Sequence, residues 1–466
     1  MSNKLERKYG LFTAICMVVG IVIGSGVFFK AQTILQKTGG NTSLGILAWI
    51  IGGAIMLSCL LAFAFMGQKY ERVNGIVDYA EATVGPRYGY YMGWFAATIY
   101  FPGMTSALAW LSARYTLVFI TSVNPNFPMT IPVEQGGCVI GPECMALTVF
   151  FMCGAYVLNA LSPKLAGKFQ TSTTVIKLIP LILMGVVGII YGLTHGMLQT
   201  NLTTTVVPAV ELSTNPLFAA VCATSFAYEG WIIATSINSE IKDSKKNLPK
   251  ALILGGLIII AVYILYFVGV AGGAGAKDLM DTGANVAFNN VFGPVLGNIL
   301  NLFVAISCMG TCNGLMLGCS RCMYSLGTRG EGPAPKMFSQ VDETTNMPNN
   351  SAVVALLVTA VWFVYFYFSN LAQTWTGPFV FDSTELPIIT IYLMYLPIFF
   401  QWMRKEKDQS VMRRFVMPIL ASIGSAFMVL ACILGHGMAC VWYLIVFAVI
   451  MALGGLLDHN RKRKEA

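Results

Sequence analysis

The chain has 466 residues, of which 56% are hydrophobic and only 11% are charged, and its mean hydropathy is +0.69. That composition is too apolar and too poor in charge for a soluble globular protein, and it predicts a bundle of membrane-spanning helices. The net charge of +8 comes from basic residues that collect in alternate loops, a pattern that indicates membrane orientation and argues against nucleic-acid binding.

Apolar runs of the length that a bilayer requires, about 20 residues, recur along the whole chain. The first run, from Leu11, is long and lacks a small-residue cleavage site, so we expect no cleavable signal peptide. Spans three and eight are long, which predicts that they tilt or extend beyond the bilayer. The twelve predicted spans are 11–36, 43–69, 87–121, 145–161, 170–193, 213–240, 250–273, 291–325, 350–369, 377–402, 412–435 and 438–457.

Lysine and arginine residues predict the orientation of these spans. With the N-terminus inside, the inner loops hold 24 of the 29 basic residues, Arg321 among them. The outer loops contain little beyond Lys37 and Lys277. Because the number of spans is even, both termini are expected to be cytoplasmic.

Two segments interrupt otherwise apolar runs with glycine and polar residues. Gly24-Ser25-Gly26 lies inside the first run, and Phe226-Ala227-Tyr228-Glu229-Gly230-Trp231 lies inside the sixth. A carboxylate at membrane depth, here that of Glu229, is expensive and is therefore a candidate functional group by default. Two interrupted helices in corresponding positions indicate the binding site of a secondary transporter.

The first ten spans divide into two sets of five, and each set begins with an interrupted segment. Because five is odd, the second set crosses the membrane with opposite polarity, which is the plan of an inverted repeat. We therefore predict an all-α membrane protein with a core over 11–402, built from repeats at about 11–193 and 213–402. Two further helices occupy 412–457, and residues 1–10 and 458–466 form the cytoplasmic ends.

Four motifs occur in order along the chain and together resemble one known family. They are Gly24-Ser25-Gly26-Val27-Phe28; residues 226–231; Glu240-Ile241-Lys242-Asp243 with Lys246-Asn247-Leu248-Pro249; and Ser320-Arg321, Tyr324, Arg329-Gly330 and Pro333 to Pro335. They resemble the GSG(I/V)F, FxYxGW, E(I/V)KNP…KNxP and SRxxY…RxGxxP motifs of the amino acid–polyamine–organocation superfamily. The resemblance covers about residues 5–400 and points to the L-amino acid transporters and their bacterial relatives.

That resemblance implies a leucine-transporter (LeuT) fold and Na⁺-independent exchange of L-amino acids across the plasma membrane. One departure is Ile232, which follows Trp231 where several members have asparagine, and it affects substrate contacts more than the fold. A proton-coupled amino acid symporter and a non-transporting amino acid sensor are the alternatives. Whether an accessory subunit is required stays open.

No enzymatic, metal or cofactor site is expected. The three histidines, His195, His436 and His459, lie near predicted segment ends, and there is no HExxH motif. The expected partners are small-molecule amino acids and the lipid bilayer.

The two breaks suit a zwitterionic ligand. The start of a half-helix offers free N–H donors and partial positive charge, so Ser25 and the amides of Gly24 and Gly26 are expected to hold a carboxylate. The end of a half-helix exposes carbonyls, so those of Phe226 and Ala227 are expected to accept from an ammonium. The alternative is that Gly24-Ser25-Gly26 is only a packing patch of small residues.

Phe226 and Glu229 each permit more than one interpretation. The family pattern implies that Phe226 is a lid over bound substrate, although a phenylalanine in an apolar run is commonly core packing. For Glu229 there are three alternatives: its carboxylate contacts a cationic substrate side chain, or it carries a proton, or it caps the inner half-helix.

Lys177 lies about seven residues into the fifth span, roughly 10 Å from its cytoplasmic end. The residue either snorkels to the interface or stays inside. The resemblance implies the inner position, where sodium-coupled relatives bind Na⁺ and an ammonium would repel a metal cation. Its expected neighbours are Ser307 and Thr311, which share one face of the eighth span because they are four residues apart.

Two pairs of polar residues are expected near the outer surface. Asp382 and Glu385 share a face by their i, i+3 spacing and either line the outer vestibule or stay solvated. Cys138 and Cys144 lie in an outer loop and either form a disulfide or remain free thiols.

Overall fold

The computed structural model describes residues 5–458, except 71, 209–211, 213, 214 and 376. Lys4, His459 and nearly all of the predicted tail therefore lie outside the described residues. Within the described residues the chain is helical, and its only strand-like pairing is an isolated parallel bridge between Tyr9 and Ile241.

The helices follow one another through the chain with short connections. The α-helices are α1 Leu11–Val22, α2 Gly26–Lys37, α3 Thr42–Lys69, α4 Gly75–Thr83, α5 Pro86–Phe95, α6 Phe101–Val123, α7 Gly137–Ile140, α8 Pro142–Leu161, α9 Pro163–Thr194, α10 Met197–Thr203, α11 Pro216–Ala227, α12 Ser244–Gly273, α13 Ala276–Thr282, α14 Ala284–Phe292, α15 Pro294–Thr328, α16 Pro335–Phe338, α17 Asn349–Phe366, α18 Glu385–Lys405, α19 Met417–His436 and α20 Met438–Leu457. Shorter helical turns are the π segments Ala96–Tyr100, Tyr367–Leu371 and Met412–Val416 and the 3₁₀ segments Val133–Gln135 and Trp231–Glu240.

The described part of the chain contains eleven helical segments that are long and apolar enough to cross a membrane, and Leu11–Val22 is a shorter apolar helix before them. The predicted all-α, multi-pass membrane architecture is therefore confirmed. Each of the eleven falls on a predicted span, with bounds that differ by a few residues in most cases.

Two of the sequence-based expectations are wrong. The tenth span was predicted to start at 377, but α18 starts at Glu385. The Asp382 side chain accepts the amide hydrogens of Thr384 (2.7 Å) and Glu385 (2.9 Å), and this turn begins the helix. Arg321 was assigned to an inner loop, but it lies inside α15 and is fully buried.

The core is organised around α12 and α15. Helix α12 packs against α1, α3 and α9, and α15 packs against α6, α9 and α17. Helices α9 and α12 approach closely through glycines: a Cβ on Gly272 would lie 3.0 Å from the carbonyl carbon of Gly188. By contrast, only 17% of the most apolar 18-residue stretch of α20 is buried, so this helix lies at the periphery.

Candidate functional site

The first two helices are separated by a short non-helical stretch. Helix α1 ends at Val22 and α2 begins at Gly26. The stretch faces the end of α11, because a Cβ added to Gly26 would lie 2.9 Å from the Cα of Ala227. No real side chain tolerates that distance from backbone, so the close approach requires glycine at this position.

A second interruption separates α11 from the 3₁₀ segment Trp231–Glu240. Gly230 between them has φ of +105°, a conformation that L side chains rarely adopt. The Tyr263 hydroxyl lies 3.1 Å from the carbonyl oxygen of Val22 and 2.9 Å from that of Ala227. One tyrosine therefore contacts the exposed carbonyls of both broken ends, and the Ala227 carbonyl, predicted to accept from an ammonium, already has this partner.

A pocket with about 320 Å³ of empty space, its mouth included, lies between these two interruptions. Six of the nine predicted substrate-binding residues line it, together with Thr311 and apolar side chains. The lining residues are Ile21, Val22, Gly24, Ser25, Gly26, Met104, Leu108, Phe226, Glu229, Gly230, Thr311 and Leu315.

The remaining predicted residues lie behind the pocket wall. Tyr228 donates its hydroxyl to the Trp49 carbonyl oxygen (2.9 Å) and packs edge-on against that indole. Trp231 is fully buried and packs against Phe63 and Tyr395. Tyr228 and Trp231 thus belong to the aromatic core that holds the second interruption in place.

Two polar groups of the pocket lack a hydrogen bond of normal geometry within the described structure. The Ser25 hydroxyl is buried without such a bond, although the Cys308 thiol lies close to it. Glu229 Oε2 is buried in the same way, although Tyr392 and the Gly230 amide lie close to that carboxylate. Buried polar groups in native proteins are nearly always hydrogen-bonded, so each unpartnered atom requires an explanation. A bound polar ligand supplies one.

The other Glu229 oxygen is engaged. The Tyr100 hydroxyl donates to Glu229 Oε1 in a short hydrogen bond. Tyr100 ends the π segment Ala96–Tyr100, and Met104, one turn further along, lines the pocket. Such π segments occur frequently at functional sites because the extra residue in the turn re-aims the following side chains.

Lys177 lies on the far side of the first interruption and is fully buried, so it does not snorkel. Its ammonium donates to the carbonyl oxygens of Gly20 (2.7 Å), Ile23 (2.6 Å) and Ser307 (3.1 Å). The Thr311 hydroxyl oxygen lies 3.5 Å from it. The two predicted neighbours therefore both contact Lys177, and the carbonyls at the end of α1 receive a charge-assisted set of donors.

The same carbonyls are also held by α15. The Ser307 hydroxyl lies 3.1 Å from the carbonyl oxygens of both Ile23 and Gly24, and the Thr311 hydroxyl lies 3.2 Å from that of Gly20. Helices α9 and α15 thus clamp the end of α1. Of these contacting residues, Thr311 also faces the pocket.

A buried ion cluster closes one end of the bundle. Arg321 donates to both oxygens of Glu240, at 2.8 and 3.0 Å, and Lys8 lies 2.9 Å from the same carboxylate. Burial lowers the pKa of Lys8, and the Glu240 charge opposes that shift. Since the Tyr9 carbonyl accepts from the Lys242 amide at 2.9 Å, the segment before α1 is fastened to the segment after Glu240.

A more exposed ion cluster lies at the other end. Lys30 lies 3.2 Å from Glu385 Oε1, and His436 Nε2 lies 3.0 Å from Glu385 Oε2. The Lys30 ammonium also lies 5.4 Å from the centroid of the Phe226 ring, which lines the pocket. Glu385 is therefore paired and not simply solvated, whereas Asp382 caps the start of α18.

Sequence reasoning missed several residues of this region. Lys30 carried a signal, because it is a charge inside an apolar run. Tyr100, Tyr263, Met104, Leu108 and Leu315 carried none, because aromatic and aliphatic side chains are expected anywhere in membrane helices. Cys138 and Cys144, left open above, are both free and buried.

Within the described residues, no group of three His, Cys, Asp or Glu side chains is placed to hold a metal ion.

Comparisons with known proteins agree with the site and the fold. The profile of the amino acid permease family matches residues 9–456. The chain is 26% identical over 475 residues to the serine/threonine exchanger SteT of Bacillus subtilis, covering all of this chain and 99% of SteT. It is 27% identical to the human large neutral amino acids transporter small subunit 2, covering 77% of this chain and 63% of the human protein.

A solved structure shows the fold. The crystal structure of MhsT in complex with L-phenylalanine superposes with a TM-score of 0.62 at 12% identity, covering 96% of this chain and 99% of MhsT. The fold is therefore LeuT-like, and the predicted resemblance to the amino acid–polyamine–organocation superfamily is confirmed. The chain belongs to the amino acid permease family.

Proposed function

We propose that this permease exchanges L-amino acids across the plasma membrane by alternating access, without Na⁺. Two buried polar groups without a hydrogen bond of normal geometry, the Ser25 hydroxyl and Glu229 Oε2, belong to residues that line one pocket between two interrupted helices, and this observation carries the proposal. The names of SteT and of the human relative, an exchanger and a transporter of amino acids, support the same reading.

In this proposal the chain crosses the membrane twelve times, with α1–α2 and α11–Trp231–Glu240 as interrupted crossings one and six. The core is an inverted repeat of about 11–193 and 213–402, and α19 and α20 lie outside it. Both termini are cytoplasmic, because the basic residues collect on that side. The Lys8–Glu240–Arg321 cluster then closes the cytoplasmic end, and the Lys30–Glu385–His436 cluster lies at the outer end.

The substrate zwitterion lies between the two breaks. Its carboxylate accepts from the Ser25 hydroxyl and the amides at the start of α2, where the helix dipole is favourable. Its ammonium donates to the carbonyls of Phe226 and Ala227 at the end of α11, and at Ala227 it competes with the Tyr263 hydroxyl. Phe226 forms the lid, because its ring lines the pocket and lies under Lys30.

Glu229 extends the substrate range from neutral to cationic amino acids. Its carboxylate faces the pocket with one oxygen held by Tyr100 and the other without a partner. A buried carboxylate in that condition is stabilised by a hydrogen-bond donor or a cation from the ligand. The aliphatic wall formed by Met104, Leu108 and Leu315 accommodates neutral side chains.

Reconstitution tests the exchange. The purified chain is placed in liposomes preloaded with one unlabelled amino acid at a time, and uptake of a labelled amino acid is measured. We expect uptake to require internal amino acid. Uptake into empty liposomes that follows an imposed pH gradient would instead establish a proton symporter, and binding without any uptake would establish a sensor. Activity of the single chain would also show that no accessory subunit is required.

A further inference from the structure

Glu385 is shared by two basic side chains that come from different helices. Lys30 of α2 contacts Oε1 and His436, the last residue of α19, contacts Oε2. The side chains of Lys30, Glu385 and His436 are 10%, 31% and 23% exposed, so external protons reach the cluster. Among the described residues, the charged and titratable groups that act on the cluster include Asp382 before α18 and Cys222 of α11.

The contact between His436 and Glu385 persists when the histidine gains a proton. An ionised carboxylate only accepts hydrogen bonds, so the hydrogen of this contact is on Nε2 in the neutral and the charged imidazole alike. The second proton goes to Nδ1. Protonation therefore places a positive charge beside Glu385 without breaking the contact, and it reduces the net negative charge that acts on Lys30.

The cluster joins two pairs of helices, which also touch where Phe218 of α11 packs against Phe427 of α19. Helices α18 and α19 pack together along their length, which keeps His436 beside Glu385. Helix α2 packs with α11, whose Phe226 lies under the Lys30 ammonium and lines the pocket. The ion pair between Lys30 and Glu385 therefore connects α2 and α11 to α18 and α19, on the side of the pocket that Phe226 lines.

We propose that His436 is a positioning residue whose charge sets how tightly Lys30 is held by Glu385, and hence how readily the outer side of the pocket opens. The inference rests on the proposed exchange function and orientation. A neutral His436 leaves the full Glu385 charge to Lys30 and keeps α2 and α11 closed. A protonated His436 competes with Lys30 for that charge and eases opening.

Amino acid exchange is measured in liposomes with the internal pH fixed at about 7.5 and the external pH lowered from about 8.5 to about 5.5. This range extends above the ordinary titration of histidine because the hydrogen bond with Glu385 raises the pKa of His436. Wild-type initial exchange is expected to rise about threefold, the size appropriate to a partly exposed ion pair. His436→Gln should be flat at the slow plateau, and His436→Arg should be flat at the fast plateau. The control is His195→Gln, since His195 is exposed and its contacts in the described structure are with Tyr191 and Thr194 of its own helix.

Opposite plateaus for the two His436 variants support the inference, because a merely structural histidine would lower the rate in both. If both variants keep the wild-type slope, or both slow exchange equally at every pH, the inference is overturned. If wild-type protein exchanges amino acids at a rate that does not change with external pH, this inference is overturned and the proposed function is not. Absence of exchange in wild type and all variants overturns the proposed function with it.

Discussion

Lys177 and Glu229 are both buried charges beside the interrupted helices, Lys177 behind the first interruption and Glu229 within the second, but their surroundings differ. The Lys177 ammonium contacts three carbonyl oxygens and a hydroxyl. The Glu229 carboxylate has one firm partner and one oxygen left without a hydrogen bond of normal geometry. A charge whose contacts are complete is part of the framework, whereas a charge with an open contact is available to a ligand.

The comparison also explains what each charge does to its helix. Lys177 ties the end of α1 to α9 and α15, so its contacts must be rearranged whenever α1 moves. Glu229 lies just before the 3₁₀ segment, and its hydrogen bond of normal direction within the described structure comes from Tyr100. We therefore expect changes at Lys177 to affect movement of the carrier, and changes at Glu229 to affect which substrates it accepts.

The largest effect is expected for Lys177→Ala. It removes the donors from the carbonyls of Gly20 and Ile23, and hydrogen bonds to a charged group contribute about 1.5–3 kcal/mol each. We expect exchange in liposomes to fall at least about 100-fold, equivalent to about 2.8 kcal/mol. Binding of alanine to detergent-purified protein should change by only a few-fold.

Ser307→Ala is the matched control for that experiment. It removes a hydroxyl that contacts the Ile23 carbonyl, which Lys177 also contacts, but it leaves the Ser307 carbonyl and the Lys177 charge in place. We expect exchange to fall about fivefold, the size of one neutral hydrogen bond. If Lys177→Ala weakens alanine binding as much as it slows exchange, Lys177 belongs to the substrate site and the comparison fails.

The next effect is expected for Glu229→Gln, which keeps the shape and removes the charge. The apparent affinity constant for lysine or arginine should rise at least about tenfold, equivalent to about 1.4 kcal/mol. The value for alanine should stay within a few-fold. Competition of each amino acid against labelled alanine uptake gives both numbers.

Two results at Glu229 would count against the open-contact interpretation. Wild-type protein that ignores both cationic amino acids would show that the unpartnered oxygen does not meet a substrate cation. A Glu229→Gln variant that loses alanine and lysine equally would show that the carboxylate caps the segment after Gly230 or handles a proton.

A smaller effect is expected for Tyr100→Phe, which removes the single firm partner of Glu229. The carboxylate is then held less rigidly, so we expect the apparent affinity constant for lysine to rise about threefold to fivefold, the size of one hydrogen bond. The same change in a Glu229→Gln background should have little further effect on lysine, because the two residues act as a unit. Additive losses would indicate that Tyr100 acts independently of Glu229.

Lys177 and Glu229 also show how much of the site could be predicted from the sequence. Glu229 was recognisable because a carboxylate beside glycine in an apolar run has few structural explanations, and Lys177 because a lysine deep in a span needs partners. The family resemblance pointed to Ser307 and Thr311 as neighbours of Lys177, and their spacing added that they share one helix face. Gly20 and Ile23 could not be predicted, because they contribute backbone carbonyls whose availability depends on where α1 ends.

The contacts of Tyr100 and His436 could not be predicted from the sequence for other reasons. The position of Tyr100 depends on a π turn, whose additional residue shifts the register of the helix, and the apolar pattern does not reveal that turn. His436 looked like an ordinary residue at the end of a span. Its contact with Glu385 arises only from the packing of α19 against α18, which lie 51 residues apart at this contact.

The smallest effect is expected for replacing Na⁺ by choline. Carbonyl and hydroxyl oxygens converge at the end of α1, and such oxygen ligands also suit a hard metal cation. In this chain they are already satisfied by the Lys177 ammonium, which contacts the carbonyls of Gly20, Ile23 and Ser307. A sodium ion would have to displace those donors and sit beside a like charge in a medium of low dielectric constant. We therefore expect initial exchange of alanine in liposomes to stay within about twofold when Na⁺ is replaced on both sides, because choline is also monovalent and the ionic strength that screens exposed charges stays the same. Collapse of uptake in choline would mean that Na⁺ binds despite Lys177. Lys177 would then not be a permanent part of the framework, and its contrast with Glu229 would not hold.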